Sequence, residues 1–182
     1  MNKLFYLIIS YIIFPIATLA QEFTPIPIEV SLDLYVGTWI YKNSETNEVF
    51  TIKLKKYDNY CTFSSNHGTI IIGEYSYTKN SITIHNSLTN LESIVTNDDA
   101  LNASINGFGN HKNKDYTKLH IWVSDRTHEK LISGTIKFAL SRTSQTLIWE
   151  IAEDEEGDID IGPDYIEGIS IPSNIVLTKI SD

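Results

Sequence analysis

From residue 37 onward the chain alternates apolar and polar residues with a period of two, and that pattern dictates what it can fold into. Gly37, Trp39 and Tyr41 share one phase of a first run, and Phe50, Ile52 and Leu54 share one phase of a second, opposite Thr51, Lys53 and Lys55. Such alternation is the mark of strands with one buried face. The polar stretch from Ser44 to Asn47 joins the two runs as a hairpin, and Lys79-Asn80 joins residues 68–78 to Ile82 and Ile84 as another. The pattern returns at Leu119, Ile121 and Val123, at Ile132, Ile136, Phe138 and Leu140, at Leu147, Trp149 and Ile151, and at Ile175, Leu177 and Lys179. No window after residue 20 gives a helical repeat apart from a turn around Ser31 to Tyr35. Between residues 86 and 114 the periodicity fails, leaving long loops with one short strand among apolar islands such as Ile94-Val95 and Ile105. About eight or nine short strands in one unbroken stretch predict a single all-β domain over residues 35–182, an antiparallel barrel or, as the alternative, a β-sandwich.

The start of the chain predicts its compartment. Met1-Asn2-Lys3 precedes an apolar run ending in Ile16-Ala17-Thr18-Leu19-Ala20, which reads as a secretory signal peptide over residues 1–20 with cleavage after Ala20. A membrane anchor is the competing reading, but the run from Leu4 to Ala20 is short for a bilayer of roughly 30 Å and carries Pro15 near its end. Residues 21–34 follow as an extended leader, interrupted by Pro25 and Pro27. The expectation is a secreted or periplasmic protein with no stable membrane insertion after cleavage. Lys3 is the only charge removed, so the mature chain is one unit more acidic than the −9 of the whole. Without a local Lys/Arg cluster, that balance argues against nucleic acid as a partner. Cys61 is the sole cysteine, so no intramolecular disulfide forms and stability rests on the core. Cys61 lies between Tyr60 and Thr62 with no histidine nearby in sequence, which suits a packed thiol better than a nucleophile.

Chemistry is sparse. No Gly-x-Ser-x-Gly elbow, His-Glu-x-x-His helix or phosphate-cradling glycine loop occurs, so no catalytic residue is assigned. The five histidines are scattered, and His85 with His120, each on the polar phase of its strand, is the least implausible metal pair. The densest charge lies at residues 153–160, a solvated acidic loop in which Asp158 and Asp160 are the candidate ligands for calcium, the one cofactor the spacing allows. Ten tyrosines, seven phenylalanines and three tryptophans provide rings for either a pocket or a core. The leading expectation is non-catalytic binding of a small apolar or amphipathic molecule inside the barrel, lined by Tyr75, Tyr77, Phe138 and Trp149. The alternative is a structural or protein-interaction module at the cell surface, its barrel filled by side chains and its contact made by residues 86–114.

Two resemblances bear on this. Tyr35-Val36-Gly37-Thr38-Trp39 resembles the Gly-x-Trp opening of lipocalin-like barrels. That likeness implies that Trp39 plugs the closed end, with Gly37 before it and a basic residue of the last strand over it. Lys179 stands here where the pattern prefers arginine. More of the chain resembles a family of small exported flavobacterial proteins known only as a domain of unknown function. The similar stretches are Phe50-Thr51-Ile52-Lys53-Leu54, Gly73-Glu74-Tyr75-Ser76-Tyr77, Leu147-Ile148-Trp149 and Ile171-Pro172-Ser173-Asn174-Ile175-Val176-Leu177. The resemblance implies export and a barrel-like fold, and no activity.

Overall fold

The computed structural model describes residues 31–61, 67–110, 115–139, 145–152 and 168–182. Nine strands form one antiparallel sheet: β1 (Gly37–Asn43), β2 (Glu48–Cys61), β3 (His67–Lys79), β4 (Ile82–Asn86), β5 (Ile105–Asn110), β6 (Asp115–Asp125), β7 (Lys130–Phe138), β8 (Thr146–Ile151) and β9 (Ile175–Ser181). Going round the sheet from β1, the order is β9, β8, β7, β6, β5, β3 and β2, and the β1–β2 pair closes the ring. The fold is therefore a closed eight-stranded barrel, not a sandwich, with β4 as an extra strand paired to the end of β3. Closure removes the exposed edges that an open sheet of this size would carry.

Local chemistry sets the corners. At the β3–β4 turn, Asn80 and Ser81 have φ of 51° and 65°, as a two-residue hairpin loop requires, and Asn47 turns β1 into β2 with φ 49°. Of the leader expected over residues 21–34, only 31–34 are described. There the Ser31 hydroxyl caps a 3-10 helix, Leu32–Tyr35, by accepting from the Asp33 N–H at 3.2 Å.

The inward phase of each strand supplies the core, with Trp39, Phe50, Ile52, Ile71, Tyr75, Ile121, Ile136, Trp149 and Leu177 all buried. The aperiodic region has more structure than its sequence predicts: a 3-10 helix (Leu88–Ser93), the single-turn helix α1 (Asn97–Leu101) and β5. This excursion packs on the outside of the barrel. Leu91, Ile94, Ala100 and Ala103 cover Ile70 and Ile72 of the outward phase of β3, together with Tyr60 of β2. Thr96 and Asp99 form a reciprocal capping box that starts α1. Lys55, outward on β2, donates to the Leu91 and Ile94 carbonyls at 2.7 and 3.0 Å, where the preceding 3-10 helix ends. Among the described residues no helix is long and apolar enough to cross a membrane.

Candidate ligand site on the outer wall

The residues singled out in the sequence lie in several places. At the end of the barrel where β1 begins, Gly37 has φ +126°, and a Cβ there would collide with the Ser181 carbonyl and lie 2.7 Å from the Lys179 side chain. Trp39 is 1% exposed and donates its indole N–H to the Tyr35 carbonyl at 2.8 Å. Lys179, its cross-strand partner, holds its ammonium 5.4 Å from the ring centroid and pairs with Asp182 at 2.5 Å. Phe138 is half-buried at the same end, 4.6 Å from Tyr35 and 6.3 Å from Trp39 between ring centroids.

Trp149, Tyr75 and Tyr77 sit towards the other end, around Phe50. Phe50 lies 5.4 Å from Trp149, 5.7 Å from Tyr75 and 6.1 Å from Tyr77, and none of the four rings is more than 4% exposed. Their polar tips are all engaged. Trp149 donates to the Pro172 carbonyl, Tyr75 to the Ser124 carbonyl, and Tyr77 to the Glu48 carboxylate. Burial pushes the Tyr75 hydroxyl up to about 12 and raises Tyr77 as well, where the Glu48 carboxylate adds to the effect.

At this end Ile169 and Ile171, just before β9, pack onto the core. Asp125, fully buried at the β6–β7 turn, accepts from the Ser170 N–H and hydroxyl at 2.6 and 2.5 Å and from the Thr127 and His128 N–H groups. Burial alone would raise its carboxyl, but those hydrogen bonds outweigh it and hold Asp125 below the ordinary carboxylate range.

Asp158 and Asp160 lie outside the described residues. Cys61 ends β2, in register with His67. His85 and His120 are on β4 and β6. Among the described residues no group of three or more His, Cys, Asp or Glu side chains is placed to hold a metal ion.

The polar constellation with the most chemistry includes only one of the sequence candidates, His85. Between the barrel wall, β4 and the excursion lies a pocket of about 270 Å³, lined by Glu74, His85, Ser87, Asn90, Ser93, Ile94, Asp99, Asn102, Ser104 and Arg126. Glu74, on the outward phase of β3, forms part of this lining and is only 4% exposed. Its Oε2 accepts from the Ser87 and Ser104 hydroxyls, both at 2.5 Å, and its Oε1 from the Ser104 N–H at 3.3 Å. Both serines are anchored to strands. The Ser87 N–H donates to the Tyr75 carbonyl at 3.0 Å, and the Ser104 carbonyl accepts from the Ser124 N–H at 2.8 Å.

Arg126, exposed beyond β6, donates its Nη2 to the Asn102 carbonyl at 2.6 Å, and its backbone N–H donates to the Tyr75 hydroxyl at 3.1 Å. His85 stacks 4.6 Å from Tyr75, and its Nε2 is buried without a hydrogen-bond partner. Burial lowers the His85 pKa, against the opposing pull of Glu74, so the ring favours its neutral form. The one signal in the sequence is Glu74 itself, a carboxylate on the same strand phase as Ile70 and Ile72.

No curated protein and no solved structure matches the chain. A family model does match, and it spans the barrel, the excursion and the pocket residues together. Over residues 1–180, the chain belongs to a family of unknown function (DUF6705).

Proposed function

We propose that this is an exported, non-catalytic interaction module whose barrel is a scaffold filled by its own side chains and whose contacts are made from the outer wall. The observation that carries the reading is the Phe50 cluster, in which Phe50, Tyr75, Tyr77 and Trp149 pack ring against ring across the interior. Small barrels of this strand number are wide enough for side chains to fill them or for one small ligand, and rings in mutual contact favour filling. The excursion over residues 86–104 supports an outward-facing role. It leaves Val95 and Leu101 exposed at 74% and 47%, while the preceding strand β4 exposes Ile82 at 68%.

The competing reading places an apolar ligand among Tyr75, Tyr77, Phe138 and Trp149. The two are separated by purifying residues 21–182 from the native host and comparing native with denatured mass spectra. A native mass equal to the chain, to a multiple of it, or to the chain with a protein partner is expected. A discrete apolar small molecule released on denaturation would overturn the filled-barrel reading.

A further inference from the structure

We propose that the outer-wall pocket binds a free α-amino acid, its ammonium group on Glu74 and its carboxylate on Arg126. Glu74 is a buried carboxylate held by three neutral donors, and no basic side chain forms an ion pair with it among the described residues. Lys53, its cross-strand neighbour, turns instead to Glu92 at 2.6 Å. A desolvated carboxylate without a counter-ion is a strong attractor for an incoming cation. Its two oxygens are unequally used. Oε2 takes both serine hydroxyls, whereas Oε1 has only the 3.3 Å contact to the Ser104 N–H and retains acceptor capacity for an ammonium.

A second carboxylate stands in the same lining. Asp99 spends Oδ2 on the Thr96 N–H of the capping box and on the Val95 N–H. Against these two acids the lining supplies one fixed cation, Arg126, so a purely anionic ligand meets net repulsion while an ammonium is drawn in. Arg126 uses Nη2 on the Asn102 carbonyl, and its remaining N–H groups form the planar fork that suits a carboxylate. The volume of about 270 Å³ suits a molecule of amino-acid size, and Ile94 supplies an apolar wall for a short side chain.

The proposal is independent of the filled-barrel reading, since an apolar molecule in the barrel would leave this pocket unchanged. The test is isothermal titration of residues 21–182 with the common α-amino acids singly, alongside ethanolamine, which has the ammonium alone, and N-acetylalanine, which has the carboxylate alone. At least one amino acid is expected to bind about tenfold or more tightly than either control. Glu74→Gln should weaken that binding about tenfold or more. The exposed substitution Arg126→Gln should weaken it while leaving any ethanolamine binding unchanged, and it keeps the proposal testable if Glu74→Gln fails to fold. No heat from any amino acid up to ~10 mM would overturn the proposal. So would equal affinity for either control, or binding indifferent to both substitutions.

Discussion

At the scale of single residues, Gly37, Trp39 and Lys179 meet at the end of the barrel where β1 begins. Trp39→Ala is expected to cost ~3–5 kcal/mol in a urea titration, and a loss below ~1 kcal/mol would remove the ring from its closing role. Gly37→Ala should also destabilise the chain, because φ +126° strains any L side chain and the new methyl meets the Ser181 carbonyl. Gly37 and Trp39 stand out in the sequence because a glycine two before a strand tryptophan is a local pattern. Glu74 does not, because its partners Ser87 and Ser104 lie 13 and 30 residues away and converge only through folding.

His85 gives the residue-scale prediction in pH. Its environment includes Glu74, Asp125 and Arg126, but burial is the largest influence and holds it below its ordinary 6.5. The folded chain therefore binds the proton less readily than the unfolded chain. The contribution to stability is complete above about 6.5 and is lost as pH falls through the folded value. Unfolding titrations from pH 7 to 5 should show this decline, and His85→Phe should flatten it. An unchanged slope in the variant would assign the decline to other groups.

At the scale of elements, alternation identified the strands better than it identified their ends. The sequence pattern covers 50–55 of β2, whereas the strand runs from Glu48 to Cys61. The extra length survives because Tyr60 and its neighbours pair with β3 and help carry the excursion, a tertiary reason invisible to local periodicity. The excursion itself was illegible for a related cause. Its helices are one or two turns long and are held by Leu91, Ile94 and Ala100 against strand residues, not by a repeat of their own. Leu91→Ala should cost ~2–5 kcal/mol locally and deprotect amides over residues 88–101, with β6–β8 still protected in hydrogen exchange. Simultaneous loss of protection in β6–β8 would make the excursion part of the barrel's cooperative unit. Asp125→Ala should likewise free residues 168–175 first, since Ser170 loses both its acceptors.

At the scale of the whole molecule, stability rests on a barrel closed around one core. One cysteine permits no internal bridge, and the described interior supplies instead a continuous cluster from Leu32 to Leu177. Closure was within reach of the sequence, since strands in meander order pair with their neighbours and leave only the first and last to meet. Whether the interior holds rings or a ligand was not. Both uses demand the same inward aromatic residues, and only their mutual distances separate them.

The filled interior is therefore the central claim, and Trp149 is its most direct probe. A urea titration of Trp149→Ala against the parent chain should show a loss of ~3–5 kcal/mol, the penalty for removing a ring packed on Phe50 and bonded to Pro172. A loss under ~1 kcal/mol would mean that the ring borders an open cavity, and would contradict the account.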